Sequence, residues 1–138
     1  MAVDNSKAMM LIIYVENQEK AREFYKKVLA MEPLMDVPGM TEFELGENVL
    51  LGIMPDEGIA RILEGKVKNL GKSAAVPKCE LYLPVDDPDE YYHRLIEAGG
   101  TGVVEGKARP WGDYTAYGMD LDGNLLAFSK NMNRQGGI

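Results

Sequence analysis

One order of elements, strand then helix then further strands, runs through this chain twice, and that repeat constrains the fold more than any single motif does. Met9 to Val15, MMLIIYV, is a strand-length apolar run with β-branched residues at its centre. Almost every position in it is apolar, so both faces are expected to be covered. Leu11, Ile13 and Val15 point one way, and Met10, Ile12 and Tyr14 the other. Asn17 is placed to cap a helix in which Ala21, Phe24, Tyr25, Val28 and Leu29 form one apolar stripe. That helix should end near Ala30, because Pro33 cannot continue it. TEFEL at Thr41 to Leu45 alternates strictly, Gly46-Glu47-Asn48 carries turn chemistry, and Val49 to Met54 reads as the next strand.

A connector follows, with a short helical stretch at Ile59 to Leu63 and a glycine-punctuated basic run holding Lys66, Lys68, Lys72 and Lys78. The second half then repeats the first. Cys79 to Val85, CELYLPV, is strand-like, and Asp87, Pro88 and Glu90 form a capping box with proline at the first helical position. The helix carries Tyr91, Leu95 and Ile96 inward and stops at Gly99-Gly100. A glycine-rich stretch, Gly99 to Gly112, is expected to be a loop leading to strands at Thr115 to Met119 and Leu125 to Lys130. Asp120 to Asn124 is the turn between those strands. The expected modules span about 8–55 and 79–130, joined by a connector at about 56–78, in one domain of residues 1–138.

Charge and cysteine usage narrow the partners. Fifteen basic against 22 acidic side chains leave a net charge of -7, which disfavours nucleic acid or an anionic membrane as partner. One cysteine excludes an intrachain disulfide framework and fits a reducing compartment. The apolar run near the N-terminus is too short for a membrane span and lacks the basic start of a signal peptide. A cytoplasmic location is therefore expected. Glycine spacings match neither the dinucleotide nor the nucleotide phosphate loop.

YVENQEKAREFYKKVLAMEP at Tyr14 to Pro33 and PWGDYTAYGMDLDGNLLAFS at Pro110 to Ser129 together resemble the vicinal oxygen chelate superfamily, which includes glyoxalases, bleomycin-resistance proteins and extradiol dioxygenases. Ala30 stands where glycine is usual, and Leu121 where proline is usual. The resemblance covers roughly residues 9 to 130. It implies an α+β fold of two βαβββ modules, with cupped mixed sheets, helices outside and a ligand cavity within. It also implies pairing of subunits into a homodimer.

In metal-dependent members of the superfamily, four side chains of the cup hold a divalent ion. Carried over to this chain, the resemblance places Met10, Leu51, Glu80 and Ala127 at those positions. One carboxylate beside Met, Leu and Ala cannot build such a shell, so neither a metal nor another cofactor is expected. Glu80 is expected within a largely apolar cup, as a partner for a cationic ligand or as a base. Tyr14 and Tyr82 could present hydroxyls to a ligand, while Met10, Ile12, Leu51 and Ala127 would line its walls. Trp111, the only tryptophan, suits stacking on a planar ligand, and Arg109 before it could take an anionic group. His93, the only histidine, reads as a solvent-face residue, and Cys79 as an inert strand residue.

No catalytic constellation emerges. The preferred reading is a metal-free binder of a planar or cationic small molecule, in the manner of a drug-sequestering protein. A glyoxalase-like lyase or isomerase and an interaction module with a filled cup are the alternatives.

Overall fold

The computed structural model describes residues 3–4, 6–68, 70 and 77–132. The chain divides into two compact units, residues 1–26 with 30–73, and 27–29 with 74–138. Lys72 of the basic connector lies outside the described residues. Each unit holds one four-stranded mixed sheet, and the two sheets share one topology.

In the first unit, β1 (Met9–Val15), β2 (Met35–Val37), β3 (Met40–Gly46) and β4 (Val49–Pro55) assemble in the order β1-β4-β3-β2. β1 runs parallel to β4, and the remaining pairs are antiparallel. Helix α1 (Gln18–Leu29) makes the crossover that a parallel pair requires. Its N-cap is Asn17, whose side chain accepts from the Lys20 N–H at 2.9 Å. Its end is Ala30, held in the left-handed region at φ 55°. Helix and sheet meet through Tyr25 and Phe43, with ring centroids 6.3 Å apart. Phe43, Leu51, Ile53 and Val15 are fully buried on this face, each worth about 1.5–3 kcal/mol of burial.

β2 was not foreshadowed by any apolar pattern, and all three of its residues are exposed. Long-range polar contacts hold it instead. The Gln18 amide donates to the Val37 carbonyl and to Thr41 Oγ1, both at 2.9 Å, and its oxygen accepts from the Gly39 N–H at 2.9 Å. Arg22 pairs with Asp36 at 3.0 Å, and Asp36 accepts the hydroxyl of the fully buried Thr41 at 2.8 Å. Helix α2 (Asp56–Ile62) begins directly after Pro55, three residues earlier than its apolar residues suggest.

The second unit repeats the plan with β5 (Glu80–Pro84), helix α3 (Pro88–Glu97), β6 (Thr101–Ala108), β7 (Asp113–Met119) and β8 (Leu125–Asn131), in the order β5-β8-β7-β6. Asp87 caps α3 through the Glu90 N–H at 3.2 Å. Tyr91 meets Phe128 across the helix–sheet contact at 5.5 Å, and Leu95 is fully buried. Ile96, expected inward, is 45% exposed, because the inward stripe of so short a helix is taken by Leu95 and Tyr91.

The expected loop between Gly99 and Gly112 is mostly strand β6. Its glycines serve close approach rather than flexibility. A Cβ on Gly102 would lie 2.4 Å from the Tyr92 hydroxyl, and one on Gly106 2.6 Å from both Asp89 and Tyr114. Side chains from outside the strand occupy the space that its own side chains would fill.

Candidate functional site

Register decides which side chains each sheet leaves uncovered. In the first unit Leu51 pairs with Leu11 and Phe43, so it lies on the face packed against α1. Gly52 pairs with Ile12 and Glu42, and a Cβ on it would meet Met10 Cε at 2.9 Å, Ile12 Cγ1 at 3.1 Å and Met40 Sδ at 3.2 Å. The open face therefore carries Met10, Ile12, Tyr14 and Gly52. Ile12 and Tyr14 are exposed there, so β1 is covered on one face only, not on both as its composition suggests.

In the second unit Glu80 pairs with Leu125 and Tyr82 with Ala127, which in turn pairs with Tyr117. Matching the two parallel strand pairs aligns Met10 with Glu80, Ile12 with Tyr82, Leu51 with Leu126 and Gly52 with Ala127. The equivalence of Leu51 with Ala127 is thus off by one residue, and such a slip moves a side chain to the opposite face. Leu51 is a fully buried core residue on the helix side, while Ala127, equally buried, shares the sheet face of Tyr82.

A polar network organises the open face of the second sheet. The Tyr82 hydroxyl donates to Asp113 Oδ2 at 2.5 Å and accepts from Trp111 Nε1 at 2.8 Å and from Ser129 Oγ at 3.0 Å. Thr115 Oγ1 donates to Ser129 Oγ at 3.3 Å, and Asn131 Nδ2 donates to Asp113 Oδ1 at 3.0 Å. One donor and two acceptor positions saturate the Tyr82 hydroxyl, so it is committed within the protein. The donors converge on Asp113. Its carboxyl is held below the ordinary 3.8, first by the Tyr82 hydrogen bond and further by Ser129, Asn131 and Trp111, against a desolvation that raises it.

Trp111 sits in the turn between β6 and β7. Its N–H is fixed by Tyr82, while the indole is 56% exposed, so a flat apolar surface is presented in a defined orientation. Arg109, half-buried in the same turn, donates from Nη2 to the Thr115 carbonyl at 2.9 Å and lies over the Tyr117 ring at 5.1 Å. Burial raises the Tyr117 phenol above its ordinary value of 10.0, and the charge of Glu80 raises it further.

The structure brings Trp111, Tyr82, Arg109, Ala127 and Glu80 onto one sheet face, and Met10, Ile12 and Tyr14 onto the open face of the other. Glu80 is exposed at the first position of β5 rather than enclosed by apolar groups, because the strand begins there. His93 is exposed on α3, and Cys79 is an exposed free thiol just outside β5. Asp113, Thr115, Ser129 and Asn131 were not foreseen. Their signal is the alternation Asp113-Thr115-Tyr117 along β7, whose odd positions share the face of Ala127 and Ser129 once the pairing is known.

The donor set does not fit the divalent metal of the superfamily. With the register corrected, its four positions fall on Met10, Gly52, Glu80 and Ala127, of which only Glu80 carries a hard ligand. Among the described residues no group of three His, Cys, Asp or Glu side chains could hold an ion. No helix among them is long and apolar enough to cross a membrane.

Solved structures share this fold. A glyoxalase-related enzyme from Fulvimarina pelagi aligns with a TM-score of 0.77 at 17% identity, over 91% of this chain and 88% of its own. A glyoxalase/bleomycin resistance protein/dioxygenase from Nocardioides aligns at 0.72 and 20%, over 97% and 89%. A glyoxalase/bleomycin resistance protein/dioxygenase family enzyme from Burkholderia phytofirmans aligns at 0.75 and 16%, over 88% and 96%. No curated protein matches the chain. The family profile of the glyoxalase-like domain matches residues 8–133. With two βαβββ modules and a match over nearly its whole length, the chain belongs to the glyoxalase-like domain family of the vicinal oxygen chelate superfamily.

Proposed function

We propose that this protein binds a planar small molecule without a metal, on the open face of the second sheet, in the manner of a drug-sequestering member of the superfamily. The observation that carries this reading is the exposed indole of Trp111, pinned by its N–H to Tyr82 over a floor of Asp113, Ser129 and Thr115. Exposed aromatic area held in one orientation is what a binding site needs, because little freedom remains to be lost when a ligand stacks on it.

Binding is favoured over proton-transfer chemistry. Asp113, the carboxylate at the centre of the network, is held below its ordinary 3.8, which makes it a weak base at neutral pH. The Tyr82 hydroxyl is already engaged as a hydrogen-bond donor to Asp113. Met10, Ile12 and Tyr14 supply an apolar surface on the first sheet. A homodimer in a cytoplasmic setting completes the proposal, and sedimentation equilibrium should return twice the chain mass.

A screen of planar aromatic compounds read by fluorescence of the sole tryptophan tests this reading. Hits should quench Trp111, and Trp111→Ala should weaken their binding by about 1.5–3 kcal/mol. Elemental analysis after dialysis should find far less than one metal per chain. Hits whose affinity is unchanged in Trp111→Ala would remove the proposed site.

A further inference from the structure

Arg109 differs from the other half-buried arginines of the described residues. Arg22 is paired with Glu19, Glu23 and Asp36, and Arg94 with Glu90. Arg109 forms no ion pair among the described residues, although Asp113 lies on the same sheet face and is joined to it through the backbone, where the Arg109 N–H donates to the Asp113 carbonyl at 2.7 Å. The Asp113 side chain is turned instead toward Tyr82 and Asn131.

Arg109 Nε is buried without a hydrogen-bond partner. Burying a polar donor unpaired costs free energy, and native structures do so sparingly. The guanidinium is nevertheless held in place, by Nη2 on the Thr115 carbonyl and by stacking over Tyr117. The remaining nitrogen, Nη1, bonds no group among the described residues and is not enclosed by them. The result is a rigid, partly desolvated cation with one free edge, two residues from the exposed indole.

We propose that Arg109 selects the charge of the ligand: it takes an anionic group, such as a ring carboxylate, at its free edge while the ring stacks on Trp111. This rests on the reading of the second sheet face as the ligand site. Two acidic side chains compete with it. Asp113 has its charge satisfied by internal donors, and Glu80 is exposed, where hydration and salt screen it. A charge-assisted hydrogen bond to a partly desolvated guanidinium outweighs such screened repulsion.

Three probes with one ring system separate the possibilities: 2-naphthoate, 2-naphthamide and 2-naphthylmethylammonium, each titrated calorimetrically into wild type, Arg109→Gln, Arg109→Lys and Trp111→Ala. Wild type should bind the naphthoate roughly ten-fold more tightly than the amide, and the ammonium most weakly. Arg109→Gln should erase that preference while still binding the amide, which also shows that the variant is folded. Arg109→Lys should retain part of it. Equal binding of all three probes by wild type, with loss of all three in Trp111→Ala, would overturn the role of Arg109 and leave the site standing. Preference for the ammonium would overturn it too. Failure of wild type to bind any of the three would overturn both the role and the planar-ligand site.

Discussion

The two sheets are built on one plan and finished differently. Both run parallel strand, antiparallel strand, edge strand in the same order, and both bury an aromatic against their helix, Phe43 under Tyr25 and Phe128 under Tyr91. Their open faces diverge. Met10, Ile12 and Gly52 in the first correspond to Glu80, Tyr82 and Ala127 in the second. The first face is adaptable around Gly52, where the side-chain ends of Met10, Ile12 and Met40 fill the space above the glycine, with Glu42 opposite it on β3. The second is a hydrogen-bonded lattice that fixes an indole and an arginine. The covered faces have to match because both must pack a helix. The open faces are free to specialise, and it is there that recognition is proposed.

The largest expected effect tests the division into faces. Leu51→Ala should destabilise by about 2–5 kcal/mol, as for a fully buried leucine, whereas Met10→Ala on the open face should cost about 1 kcal/mol or less. Chemical denaturation measures both. Comparable losses would mean that Leu51 does not face the helix.

Glycine substitutions sharpen the same contrast. A Cβ on Gly118 would sit 2.8 Å from both methyl carbons of the fully buried Leu95 and 3.2 Å from the Thr101 carbonyl. Gly118→Ala should therefore cost about 1–3 kcal/mol. Gly52→Ala meets mainly flexible side chains at 2.9–3.2 Å and should cost less than about 1 kcal/mol. Thermal or urea midpoints of the pair rank the two faces by rigidity.

The helix ends differ as well. α3 is followed by Gly99 at φ 104°, whereas α1 closes on Ala30 at φ 55°. A left-handed conformation strains an alanine and not a glycine. Ala30→Gly should raise stability by about 1 kcal/mol, a gain that no substitution at Gly99 can match. A fall in the denaturation midpoint of that variant would remove the strain argument.

The smallest effect is in acid. Because folding lowers the Asp113 pKa from 3.8, its contribution to stability is fully present above that value and decays as pH falls through the lowered one. Wild type should lose stability in this window faster than Asp113→Asn, so the gap between them closes toward low pH. Urea midpoints taken from about pH 5 downward would show it. Parallel curves would mean that Asp113 is not stabilised as a carboxylate.

The central elements were legible in the sequence because local chemistry specifies them. Asn17 and Asp87 cap their helices as their side chains suggest, and the turn at Asp120 is confirmed by its carboxylate accepting from the Asp122 and Asn124 N–H groups at 2.8 Å. Edges were not legible. β2 is held by Gln18 and Arg22 from another element, and β6 looks like a loop because Tyr92, Ile96, Asp89 and Tyr114 occupy the space above its glycines. The position that the resemblance carries over to Leu51 is one residue off, since Gly52 pairs with Ile12 as Ala127 does with Tyr82, a pairing that only the folded register reveals. Trp111 and Tyr82 could be singled out as residues suited to a ligand. Asp113, Ser129 and Asn131 could not, because what joins them to the site is pairing across strands far apart in sequence.

The most direct measurement is an amide and indole NMR titration with a planar compound found by the fluorescence screen. The single Trp111 Nε1–H resonance and the amides of Tyr82, Thr115 and Ser129 should shift together and saturate at one dissociation constant. Saturable binding that leaves the indole resonance and those amides unmoved would contradict the assignment of ligand recognition to the second sheet.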